Sequence, residues 1–215
     1  MGRTIWVLAV ALGVTLGACR TVVPPVPPSS ADTPPDATGS WRATATDADK
    51  ERIRGWYNSW QVALADARAK GFGADIDREG VLLQPTAALP NPHLPAGDYR
   101  CRTIKVGTQG RGGLSYIAYG WFRCRVASEQ GLSSLTKITG SQRPVGLIFP
   151  DNLKRQIFLG TLELGDEKMA VNYGSDRMRD MAGLIERIGD NRWRLVLPAP
   201  AYESLVDVIE LVPAS

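Results

Sequence analysis

A single histidine and three cysteines are all that 215 residues offer of the side chains that most often ligate metals or act as nucleophiles. The lone His93 sits between Pro92 and Leu94 in a Pro-rich stretch and reads as a loop residue. One imidazole cannot build a multi-histidine metal site, and no neighbour in the sequence is placed to make it a general base. There is no Gly-x-Ser-x-Gly elbow, no Cys-x-x-Cys pair and no His/Cys/carboxylate cluster at ligand spacing. Glu163, Asp166 and Glu167 fall near a strand end, where carboxylates ordinarily belong to a solvated turn. The sequence therefore predicts no enzyme, no metal and no cofactor. Charge of one sign is also scarce. A net +3, with no RNP, zinc-finger or helix-turn-helix pattern, excludes a nucleic-acid binder.

The amino terminus has the form of a secretory leader over residues 1–18. Arg3 stands before an apolar run at residues 5–16, and Gly17 and Ala18 follow. The run is too short for a comfortable transmembrane helix. Leu16-Gly17-Ala18-Cys19 resembles the bacterial lipobox, which implies cleavage before Cys19 and attachment of lipid, palmitate-class acyl chains included, to that residue. Arg20 in place of Asp after the cysteine implies, by enteric-type sorting, an outer-membrane lipoprotein facing the periplasm. Residues 19–40 are rich in Pro, Ser, Thr and Asp and cannot bury a core, so they read as a semi-rigid tether of about 3.1 Å per residue. With Cys19 used by lipid, Cys101 and Cys124 remain as an even pair in an oxidising compartment, and a structural disulfide is expected.

Folding residues 99–126 so that Cys101 faces Cys124 centres the bend on residues 111–113, in a Gly-rich break suited to φ > 0. Strand alternation then puts Tyr99, Cys101, Phe122, Cys124 and Val126 on an inner face. Arg100, Arg102, Trp121, Arg123 and Arg125 fall on the outer one. In this register Arg100 opposes Arg125 and Arg102 opposes Arg123. Like charges directly opposite are unfavourable, so negative groups should stand nearby. Either surface carboxylates answer these arginines, or the face with Trp121 is an anion-binding patch. Gln142 and Arg143, before Pro144 at a loop-to-strand junction, form a second candidate contact, with turn chemistry and a surface ion pair as the alternative.

Thr46 or Asp47 is placed to cap a helix ending near Gly71, with Ile53, Trp56, Tyr57, Trp60, Leu64 and Ala67 as its core-facing stripe. Residues 81–84 read as a short strand. After the cysteine hairpin, strand-sized pieces at 132–139, 145–149, 156–162, 184–188, 193–197 and 205–212 are separated by turns. Short strands in simple order predict a mainly β chain. Residues 41–215 are expected to form a small antiparallel up-and-down, lipocalin-like barrel with one amphipathic N-terminal helix.

Tyr99-Arg100-Cys101-Arg102, Gly140-Ser141-Gln142-Arg143-Pro144, Phe158-Leu159-Gly160-Thr161 and residues 192–198 (RWRLVLP) together resemble an uncharacterised bacterial envelope family, domain of unknown function 4893. The resemblance runs from about Trp41 to the carboxyl terminus and brings no activity with it. At the level of architecture the chain is similar to lipocalin-like periplasmic proteins, small protease inhibitors among them. The expected function is a lipid-anchored binding or inhibitor-like module that meets a small anionic ligand or an acidic envelope protein through Arg100, Arg102, Trp121, Arg123 and Arg125. A structural or assembly factor of the envelope is the alternative.

Overall fold

In the computed structural model, which describes residue 2 and residues 39–214 other than 111, 112, 130 and 166, Thr46 caps a helix as its position predicts. Its hydroxyl accepts a hydrogen bond from Asp49 N at 3.2 Å and opens α2 (Asp47–Arg54), after a single turn α1 (Trp41–Thr44). The expected long helix is broken at Gly55, whose ψ of 1° ends α2 and starts α3 (Trp56–Ala69). That break turns the stripe: Trp60, Ala63 and Ala67 are fully buried, whereas Tyr57 is exposed. The leader, Cys19 and the tether lie outside the described residues. The chain divides into Met1–Pro34 and Pro35–Ser215, and all the described helices and strands belong to the second unit.

A fourth helix, α4 (Gly73–Glu79), runs into a 3-10 turn at Gly80–Leu83, where a short strand was expected. Leu82 and Leu83 are both buried there, which alternating strand geometry on one surface does not permit. The turn is tied to the barrel by Arg194, whose Nη1 donates to the carbonyls of Val81, Leu82 and Gln84 at 2.8–3.0 Å.

Among the described residues nine strands follow: β1 (Gly97–Thr108), β2 (Tyr116–Ala118), β3 (Phe122–Glu129), β4 (Leu132–Lys137), β5 (Gln142–Asn152), β6 (Arg155–Leu164), β7 (Asp180–Gly189), β8 (Arg192–Pro198) and β9 (Ser204–Pro213). From β3 to β9 each pairs antiparallel with the next, and β9 returns to β1, closing an eight-stranded barrel. β2 is the additional strand. It shares one edge of β1 with β3, pairing at residues 104–106 while β3 pairs at residues 97–101.

Cys101 and Cys124 are joined, with Cα atoms 5.9 Å apart. The hairpin register differs by two residues from the expected one: Tyr99 stands opposite Cys124 and Cys101 opposite Phe122, so the bridge runs diagonally. A slip of two keeps every side chain on its expected face but changes its partner. Arg100 opposes Arg123, Arg125 opposes Asp98, and Arg102 opposes Glu210 on β9. The two cross-strand arginine pairs expected become one, and two arginines gain carboxylates.

Alternation sorts the strands into two apolar layers. Tyr99, Cys101, Leu135, Phe158, Trp193 and Ile209 belong to the barrel interior; Ile104, Val106, Phe149, Leu159, Val196 and Val208 face outward and bury the helices against the wall. Neighbouring strands press closely where interior side chains are absent: a Cβ on Gly160 would lie 2.3 Å from Val145 O, so only glycine fits. One end of the barrel is stoppered by residues 90–96. Leu94 is buried there, Trp193 Nε1 donates to His93 O at 3.1 Å, and the Tyr99 hydroxyl donates to Pro95 O at 2.7 Å.

The bridge spans 23 residues, so replacing both cysteines by serine is expected to lower unfolding free energy by about 3 kcal/mol through the greater freedom of the unfolded chain. Urea denaturation of the oxidised and double-variant proteins measures this. An unchanged midpoint would show that the bridge adds nothing to closure.

Candidate functional site

The end of the barrel opposite Leu94 has no stopper. Strand ends from all sides leave a cavity of about 240 Å³ that opens to solvent. Its apolar wall includes Leu162, Met181, Leu197 and Ile209; its polar lining includes Lys105, Lys137, Gln142, Asp180, Glu203 and Asp207, with Arg52 and Arg179. Tyr119, Met178 and Tyr202 are exposed on the rim. The volume lies just below the ~300–1,000 Å³ usual for small-molecule sites, and its lining is more highly charged than is usual for them.

Helix α2 holds one side of this mouth in place. Arg52 Nη1 pairs with Asp49 at 2.9 Å and donates to Asp180 O at 2.9 Å, while the Tyr173 hydroxyl donates to Asp49 Oδ2 at 2.6 Å. The connection from β6 to β7 is further pinned by Arg179, which binds Glu167 through both Nη atoms and donates to Leu162 O. That ion pair, with the Leu164 N–H, holds the Glu167 carboxyl down to about 2.

Two lysines reach the interior, and their surroundings differ. Lys105 Nζ is 3.0 Å from Asp207 and 3.1 Å from Glu203. Burial disfavours its charge, but these carboxylates outweigh burial and hold the ammonium above its ordinary range. Lys137 is 5% exposed, donates to Gln142 O at 2.8 Å and lies 3.9 Å from the centre of the Phe122 ring. Among the described residues no carboxylate is in ion-pair range of it. Burial, then the charges of Lys105 and Arg143, push Lys137 down to about 8 against a weaker pull from Asp207.

The arginine face is smaller than the sequence suggests. Arg102 is half-buried in a network, with Nη1 3.1 Å from Glu79 Oε1 and Nε on Glu210; the Tyr116 hydroxyl also donates to Glu79, and Arg192 shares Glu210. Arg125 pairs with Asp98 at 2.7 Å. Arg100 and Arg123 have no carboxylate in ion-pair range among the described residues, and Arg100 lies 4.9 Å over the ring of Trp121, itself 46% exposed. The second candidate pair is split by the strand. Gln142 faces the cavity, while Arg143 turns outward to pair with Glu163 at 2.9 Å and to donate to the carbonyls of Gly140 and Glu167. Sequence reasoning passed over Lys105, Lys137 and Asp207. The sign was there: Lys105 shares the face of Cys101, and Lys137 that of Leu135, which places an ammonium inside on each strand.

The chain is thus a small closed antiparallel barrel, stoppered at one end and open at the other over a pair of interior lysines. It belongs to the DUF4893 family, a domain of unknown function whose family model matches residues 41–211, helices and barrel together. No curated protein and no solved structure matches it. Among the described residues no group of three or more His, Cys, Asp or Glu side chains is placed to hold a metal ion.

Removing one partner from a half-buried charge network leaves the others uncompensated. Arg102→Ala should therefore cost about 2–4 kcal/mol in urea denaturation, whereas Arg123→Ala should stay within about 0.5 kcal/mol. Equal effects would mean that Arg102 is as dispensable as a surface charge.

Proposed function

We propose that this protein is an envelope binding module, held by a lipid on Cys19 and the tether of residues 19–40, that receives small amphipathic anions in the barrel mouth. The apolar body of the ligand lies against Leu162, Met181, Leu197 and Ile209, and its acidic head meets Lys137. One observation carries this reading: among the described residues no carboxylate is in ion-pair range of a buried ammonium that lines an open cavity, although Lys105, which also lines it, has two. An uncompensated buried charge is costly, and an entering anion would relieve that cost where a neutral ligand would not.

A second reading keeps the outer face. Arg100, Trp121 and Arg123 form an exposed cationic and aromatic patch suited to an acidic loop of another envelope protein, as in an assembly factor. That reading needs no cavity.

Calorimetric titration with octanoate separates the two. Octanoate is expected to bind the full chain, and Lys137→Met to weaken it at least tenfold, about 1.4 kcal/mol, while Arg100→Ala with Arg123→Ala leaves it unchanged. Affinity should be greatest while Lys137 is protonated and should fall as pH rises through about 8. Octanoate affinity lost with the two arginines and retained without the lysine would move the site to the outer face.

A further inference from the structure

We propose that Lys137 also captures small apolar aldehydes or ketones covalently, as a reversible imine on the wall of the barrel mouth. The inference rests on the mouth being a ligand site and asks what its second protonation state does. A lysine becomes a nucleophile when desolvation or a neighbouring cation strips its proton, and both conditions meet at this residue. Its side chain is almost fully buried, its Nζ sits over the Phe122 ring, and the ammonium of Lys105 stands on the same wall.

Lys105 cannot take this part, because Asp207 and Glu203 hold it charged. With its proton affinity brought to about 8, Lys137 is neutral far more often near neutral pH than an ordinary lysine. Charged, it pairs with an acid; neutral, it attacks a carbonyl. The two ligand classes are the same apolar body with a different head.

In the step, the lone pair of the neutral amine forms a C–N bond to the carbonyl carbon, and the C=O π pair moves onto oxygen, which takes a proton. The resulting hydroxyl leaves as water with a second proton, and the C=N bond forms. Both hydrogens of the amine depart in that water, so amine and carbonyl give imine and water with no oxidant or reductant. Water at the open mouth supplies and accepts the protons in transit. Because the mouth opens to solvent, hydrolysis can reverse the product, and the capture is an equilibrium.

The test treats the full chain with octanal and sodium cyanoborohydride at pH 7.5, which reduces an imine to a stable secondary amine, and maps the adduct by peptide mass spectrometry. Lys137 should be labelled at least tenfold faster than Lys50, Lys70, Lys154 and Lys168. Its rate should rise with pH through about 8, opposite in sign to octanoate binding, and excess octanoate should protect it. Lys137→Arg, which keeps the charge and the fold by circular dichroism, should lose the fast adduct and still bind octanoate. Even labelling across the lysines, with octanoate binding intact, overturns the covalent inference alone. Failure of both octanoate binding and selective labelling overturns the cavity reading as well.

Discussion

Closure between β1 and β9 is the constraint on which the rest depends. From Tyr99↔Pro213 to Thr108↔Ser204 the two strands pair along nearly their whole length, and without that seam the sheet has two open edges and no inside. Once the ring is closed, strand alternation is no longer a local matter. Every second residue must point into a space that side chains fill at the Leu94 end and leave free at the other. Lys105 on β1 and Lys137 on β4 face that space for the same reason that Cys101 and Leu135 do.

The helices support the ring from outside, and the support is unusually polar. Arg194, fully buried, donates to Glu186 through Nε and Nη2 and lies 4.5 Å from the centre of the Trp60 ring. Burial lowers its proton affinity against the favourable charge of Glu186, yet an arginine remains charged over any ordinary pH range. One guanidinium thus joins β8, β7, the turn at Gly80–Leu83 and α3. Substituting such a group removes donors from Glu186 and from several carbonyls together, so the contact fixes position as much as it adds stability. On the opposite flank the Asp49, Arg52 and Tyr173 network does the same for the connection that forms one rim of the mouth.

What the sequence made legible was parity. Tyr99, Cys101, Cys124 and Val126 were assigned inward correctly even though the register was out by two, because a slip of two preserves faces. Partners were not legible, since Arg102 finds Glu79 and Glu210 from remote parts of the chain and Arg125 finds Asp98 only in the true register. The helix at Trp56 was visible in its spacing, but the turn of its buried face followed from one ψ angle at Gly55. Residues 81–84 look like a strand because Val and Leu suit both states; in the fold their carbonyls accept from Arg194 and not from a neighbouring strand. A charged residue in a strand suggests an outer face, and only the register of its neighbours shows otherwise.

Among the described residues, the barrel mouth holds an ammonium, that of Lys137, with no carboxylate in ion-pair range. Titration of the lysine side chains by ¹³Cε NMR, with Lys137 assigned from the resonance missing in Lys137→Arg, tests it without any ligand. The structure predicts one lysine titrating at about 8, with Lys105 held above the ordinary range. A Lys137 resonance titrating with the surface lysines near ~10.4 would mean that the side chain is hydrated or paired, and the mouth would lose its reason to take an anion.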